Sequence, residues 1–574
     1  MKPLVFTVLI TCFLAGNSAN ANNVEKKAKK KGTPESAQFR APISSDEKVQ
    51  QALNRLTFGP RAGDAEQVRA MGLKKWVDRE LHPERIPENP LLDAKLRPLE
   101  SLTMSPAQMV ASYPSPMRVK AMVEGKLPFP DDPDKRMMIS RLVAHYEGKT
   151  DQAGGAQPPA SDLAAILSPE QQRMFRAGSP QQKLALFNSL PPDRQDQLLE
   201  AMGQGMRAQL FAAAPPDLRR RIESLGGPLQ LVARDLSEAK LYRAVYSERQ
   251  LQEVLTDFWF NHFNVFLQKG LDHYLVTSYE RDAIRPHVLG RFEDLLRATA
   301  QSPAMLFYLD NWQSAGPQTV IGLRRHAGLN ENYGRELLEL HTLGVDGGYT
   351  QKDVTEVARC FTGWTILRPQ REAVFEFNPR MHDDAEKVVL GVRIPAGGGM
   401  QDGLMVLHLL ARQPATARFV SRDLAMRFVA DDPPEPLVDR MAATYLKKDG
   451  DLRAVLKTMF DSPEFWSRGA YRSKMKSPLE MVASSLRAVH ADVNFGFGLD
   501  KQLTDLGEPL YRKAEPTGYS NSGREWANSA GLLARMNFGV ALVNNRIPGV
   551  KVDGGQQPQL AEGVSLGSPE FQKK

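Results

Sequence analysis

"ENYGRELLELHTLGVDGGYTQKDVTEVARCFTGW", Glu331–Trp364, decides the fold class. Tyr333, Leu337, Leu340 and Gly344 recur at about 100° per residue, the spacing of one helix face, so they form its buried side. Asp346-Gly347-Gly348 supplies a turn, and Thr350 with Asp353 three residues later starts a second helix as a capping box. The unit is a tight helix–loop–helix. Its loop, "DGGYTQKD", lacks the alternating acids of a calcium-binding hand. The same periodicity returns along most of the chain, and the expected class is mainly α.

The chemistry of this stretch has two readings. Glu336 and Glu339 lie about 60° apart on one flank, the spacing of an acid pair that shares a metal on a bundle helix. Arg335 and Glu339 are also at i, i+4, where a surface ion pair explains both. His341 falls about 140° from Glu336, so one ion cannot use both on a straight helix, and the pattern is no HExxH zinc motif.

Two further clusters join the candidates. In "LTDFWFNHFNVF" (Leu255–Phe266), His262 shares a stripe with Leu251, Leu255 and Phe258 and points into the apolar side. In "RMHDDAEKVVLG" (Arg380–Gly391), His382 and Asp383 sit in the connection between two strands. The candidate set is His262, Arg335, Glu336, Glu339, His382 and Asp383. Arg335 or Arg359 is expected to neutralise the acids, with His262 approaching the same region. No nucleophile elbow, phosphate loop, dinucleotide fingerprint or CxxC pair occurs. The sequence specifies no cofactor and leaves a metal open. Cys360, between apolar helix positions, reads as a small buried side chain.

Outward from this centre, the chain divides by texture. Residues 1–21 read as a signal peptide: Lys2, the apolar run Pro3–Gly16, then Ala19-Asn20-Ala21 for cleavage. Residues 22–45 read as a basic disordered linker, 46–150 as an N-terminal helical part, and 151–228 as an insertion of short, proline-started helices. Residues 229–547 form the main helical body, with a small β element near 365–394, where "VFEF" and "KVVLGVRI" read as strands. Residues 548–574 read as a loose tail. The 574 residues are 42% hydrophobic and 25% charged, an ordinary globular composition. Most of the net charge of +7 sits in Lys2 and Glu25–Lys31, which leaves the folded body near neutrality and gives no sign of nucleic-acid binding. No stretch of the expected mature chain is long enough for a transmembrane span.

Several segments, in order, resemble a bacterial family catalogued as domain of unknown function 1800. They are "LNRLTFGPRAG", "FWFNHFNV", the opening stretch, "HDDAEKVVLG", "FVADDPPEPLVDRMAATYLKKDGDL" and "KSPLEMVASSLRAV…ARMNFGVAL". The resemblance covers most of the chain apart from the front and the insertion. It implies an exported, mainly helical protein without an established activity. It also implies a working partner, an exported phosphatase/sulfatase-like protein encoded nearby. Two functions follow as expectations. The first is a non-catalytic periplasmic or secreted scaffold or maturation partner. The second is a periplasmic metal-assisted hydrolase or lyase using an acid/histidine cleft.

Overall fold

A computed structural model describes residues 37–129, 162–224, 228–325, 328–552 and 565–574, with isolated positions between 136 and 143. The expected signal peptide lies outside the described residues. The chain is about 60% helical with a few two-stranded sheets, as the periodicity predicts. The elements that frame the polar centres are α1 (Ser45–Leu56), α2 (Pro228–Tyr246), α3 (Gln250–His262), α4 (Glu331–Glu339), α5 (Gln351–Cys360), β1 (Trp364–Leu367), β2 (Val374–Phe377), β3 (Lys387–Val389), β4 (Val392–Ile394), α6 (Met400–Ala411), α7 (Pro414–Phe428), α8 (Pro478–Ala488) and α9 (Ser529–Val543).

One continuous apolar core runs from Val49 of α1 to Leu566 and includes Trp259, Phe292, Leu337 and Trp364. The N-terminal helices therefore share the core of the main body. A second core, built from Leu163, Phe175, Phe187, Leu198, Leu210 and Ile222, belongs to the 162–224 helices alone. Their sequence explains their shape. Ser168-Pro169 and Ser179-Pro180 each place serine at the cap and proline at the first helical position, and Gln171 and Gln182 complete capping boxes. Arg220 ties this bundle to the body through Asp235 (2.8 Å) and the Tyr113 hydroxyl (3.0 Å).

The α4–α5 hairpin is closed by a glycine. A Cβ at Gly334 would stand 2.9 Å from the Val354 carbonyl oxygen, so only glycine lets the two backbones approach this closely. The capping box at Thr350 and Asp353 forms as read. The end of α4 departs from the expectation. Both Leu340 and His341 donate their amides to the Glu336 carbonyl, at 2.9 and 3.0 Å, and the helix unwinds. Leu340 is only half-buried, while His341 turns inward to 2% exposure and Leu343 fills the core beyond it. Helical geometry does not extend to residue 341, so the angle argument for its side chain fails there.

β1 pairs antiparallel with β2, and β3 with β4. "KVVLGVRI", read as one strand, is itself a hairpin. Leu390 and Gly391 both take positive φ (48° and 77°), the two-residue turn that matches strand twist.

Two boundaries move. The linker expected to reach residue 45 ends earlier: Ile43 is 5% exposed, its amide donates to the Trp466 carbonyl at 3.2 Å, and Pro42 bridges Ser467. The tail expected to be loose is anchored in its described part. Val550–Lys551 pairs with Asp492–Val493, Leu566 and Gln572 are buried, and Lys574 exchanges backbone hydrogen bonds with Lys474. Leu566 and Phe571 give the last residues enough apolar surface to dock. Among the described residues no helix is long and apolar enough to cross a membrane.

Candidate functional site

The six candidate residues occupy three places, and among the described residues no hydrogen bond or ion pair joins them. His262 packs on Phe263 and Phe419, donates from Nε2 to the His341 carbonyl at 3.2 Å, and faces Asp423 of α7 across 3.4 Å. Burial, then the neighbouring His262, lowers the pKa of His341 to about 3, so His341 is neutral at ordinary pH. Among the described residues no three His, Cys, Asp or Glu side chains gather as metal ligands would.

The acids of α4 are not neutralised as expected. Arg335 reaches Gln351 (3.0 Å) and Glu331 (3.9 Å), and Arg359 faces away to Asp383 and Glu356. Glu339 accepts from the Tyr349 hydroxyl at 3.3 Å. Glu336 makes no ion pair among the described residues, and burial, then Glu339, raises its pKa. A carboxyl whose pKa is raised by folding contributes fully below its unfolded value, and that contribution is lost as pH rises through the folded value. Glu336→Gln is therefore expected to be neutral or slightly stabilising at pH 7, within about 0.5 kcal/mol, with the difference shrinking toward pH 4. Parallel urea titrations of both proteins at the two pH values check this. A loss of more than about 2 kcal/mol at pH 7 would mean that Glu336 holds a partner as an anion.

α5 acts as a clamp on the β element. Asp353 accepts from the Leu390 amide (2.7 Å), Glu356 from the Val388 amide (2.8 Å), and Arg359 forks onto Asp383 (2.8 and 3.2 Å). Burial opposes ionisation of Asp383, but the Arg359 and Ala385 bonds outweigh it and hold its pKa below the usual carboxylate range. Behind the clamp lies a dry triad. Asp402 of α6 accepts from Lys387 Nζ (2.5 Å), His382 Nε2 stands 3.2 Å from the same oxygen, and His382 Nδ1 donates to the Thr362 carbonyl (2.8 Å). Lys387 and Asp402 are 1% and 0% exposed. Cys360 borders this triad, fully buried, and burial raises its thiol pKa to about 12.

A further set of buried ionisable groups lies around Glu480 in the first turn of α8. Ser477 caps this helix with Pro478 at its first position, and Glu480 closes the capping box. The Glu480 carboxylate also takes Arg427 of α7 and Lys574. Burial would raise its pKa, but those two cations hold it far below the usual range. Lys474 pairs with Asp431. Burial lowers Lys474 to about 8 and Lys476 to about 7, and raises Glu508 to about 8. These groups line or back a cavity of about 30 Å³ whose rim includes Tyr519, Asn521 and Trp526. A second ionic cluster adjoins it through Asp257: Lys240 bridges Asp257 (3.1 Å) and Glu280 (3.4 Å), and Arg285 binds Glu253 (2.6 Å). The available signal was "KSPLE", a capping box whose lysine precedes the cap and whose glutamate falls on a helix that is buried along most of its length.

Fold and site together define a mainly helical protein with a capped helix hairpin, a dry Lys–Asp–His triad and a buried ionic cavity. The chain belongs to the family described as Protein of unknown function (DUF1800), whose model matches residues 51–570, nearly the whole chain. No curated protein and no solved structure matches it.

Proposed function

We propose that the protein is exported and serves as a non-catalytic scaffold or maturation partner of another exported protein, a phosphatase/sulfatase-like one encoded nearby. One observation carries this reading: the polar residues of the central motif bond to one another and to backbone. Asp353, Glu356, Arg359, Asp383, His382, Lys387 and Asp402 lock helix α5 to the β element, with few groups left for a substrate. The hydrolase or lyase reading needs His262, Glu336, Glu339 and His382 in one cleft, and among the described residues no hydrogen bond or ion pair joins the three places they occupy. The 162–224 bundle, with its own core, is the surface we assign to the partner.

Co-expression with that neighbouring protein and purification from the periplasmic fraction test the proposal. The expected result is a stoichiometric complex whose chain begins near Asn22 by intact-mass measurement. Cytoplasmic protein retaining Met1–Ala21 would overturn the export reading. Exported protein that elutes alone at micromolar concentration would overturn the partner reading.

A further inference from the structure

A cleft of about 460 Å³ opens between α1, the helix Leu73–Glu80 and the helix Leu452–Phe460. Its floor belongs to the main core. Val77, Leu81 and Phe460 are buried there, and the half-buried Leu73 and Trp466 pack against it. Trp466 Nε1 donates to the Phe460 carbonyl at 2.7 Å, which fixes the indole as a wall. Interiors pack at near-crystalline density, so a space of this size is not ordinary slack; it has the volume of a small-molecule site. Five charged side chains complete the lining, three lysines and two aspartates. Lys457 pairs with Asp461 at 2.9 Å, and Asp78 faces His82 across 3.8 Å. Lys48 and Lys74 make no ion pair and no side-chain hydrogen bond among the described residues. The lysines without a partner therefore line the cleft itself.

We propose that this cleft binds a medium-chain fatty acid, with the alkyl chain on the apolar floor and the carboxylate at Lys48 and Lys74. The volume holds roughly fifteen water-sized groups at about 30 Å³ each, the bulk of an alkyl carboxylate of about twelve carbons. Each methylene that leaves water on such a floor tightens binding about fourfold. Lysines lay their stems along apolar walls and keep the ammonium in water, which puts the positive charge at the mouth, where the head of the ligand would stand. Among the described lining residues no serine, threonine or amide side chain offers the convergent hydrogen bonds that a sugar or a nucleotide needs. The excess of lysine over aspartate disfavours a cationic head. This inference does not depend on the partner reading.

The test titrates the full chain by calorimetry at low ionic strength with dodecanoate below its micelle concentration. Acetate, dodecanol and dodecyltrimethylammonium are run beside it. Saturable one-to-one binding of dodecanoate is expected, with dodecanol weaker by about fivefold or more. Acetate and the alkylammonium are expected to give no saturable heat. Leu73→Trp fills the cleft from its half-buried wall and is expected to abolish binding. The double change Lys48→Gln, Lys74→Gln keeps the floor and is expected to leave Tm within about 1 °C of wild type. It should weaken dodecanoate by about fivefold or more and leave dodecanol unchanged. The lysine variant decides even if Leu73→Trp does not fold. No saturable binding of dodecanoate to the wild type would overturn the proposal. So would equal affinity in wild type and Leu73→Trp, which would put the chain elsewhere. Equal affinity in wild type and the lysine variant would overturn it too, since the carboxylate would then not be read at Lys48 and Lys74.

Discussion

Replacing Glu480 by glutamine is expected to lower the thermal midpoint by about 4–6 °C, given roughly 1 kcal/mol per degree for a cooperative body of this size. The carboxylate is buried and holds both Arg427 and Lys574. Its removal leaves Arg427 and Lys574 buried without their shared carboxylate, while Asp431 stays paired with Lys474. Breaking one partner out of a buried charge network costs about 3–5 kcal/mol, because the partners left behind stay out of water. The same change weakens the α8 capping box, adding about 1 kcal/mol. The pH dependence has a definite sign. Folding depresses the pKa of Glu480, so its contribution is present above the unfolded carboxylate value and lost as pH falls through the folded one. Wild type and variant should therefore differ most near neutrality and converge only in strong acid. Near-UV circular dichroism during thermal and acid unfolding reads both effects. A variant within about 1 kcal/mol of wild type at pH 7 would show that the network is hydrated and weak.

The second large effect is expected at Asp402→Asn, where a neutral amide replaces the carboxylate that pairs with Lys387. The site is drier, with both side chains fully buried. The expected cost is about 3–5 kcal/mol, of which the stranded lysine charge is the main part. The consequence should be local as well as global, because Lys387 also donates to the Asp383 carbonyl and so ties β3 to the loop that precedes it. Loosening the β3–β4 hairpin should expose Cys360, which is fully buried in the wild type. Peptide-resolved labelling with a thiol reagent is expected to be at least tenfold faster at Cys360 in the variant. The double change Lys387→Met, Asp402→Leu removes both charges and should restore most of the loss. If Asp402→Asn labels no faster than wild type, the triad does not hold the hairpin.

The residues that made the sequence legible are those whose conformation is decided locally. Thr350 and Asp353 cap a helix within four residues, Gly348 takes a positive φ in the turn before it, and the serine–proline starts of the 162–224 helices depend only on neighbours in the chain. The stripe of Leu251, Leu255, Phe258 and His262 gave the buried face of α3 for the same reason. The errors fell where a local rule was carried past its element. His341 was placed by helical angles beyond the last turn of α4. "KVVLGVRI" was read as one strand because the positive φ of Leu390 is forced by the paired strands around it. Arg335, Glu336 and Glu339 were read as partners because they share a helix, whereas Gln351, Glu331 and Tyr349 supply the contacts.

The sequence by itself determined the helical class, the order of the elements, the family and the central hairpin, since periodicity, caps and turns act over a few residues. Only the tertiary structure decided which charges meet. Lys387 and Asp402 are 15 residues apart, Glu480 and Lys574 are 94 apart, and Arg55 reaches Ala470 across 415. The ionic interaction falls off with distance in space and grows as water is excluded, and neither quantity is written in the spacing of residues along the chain. A buried ionic centre is therefore invisible until the helices that enclose it are packed.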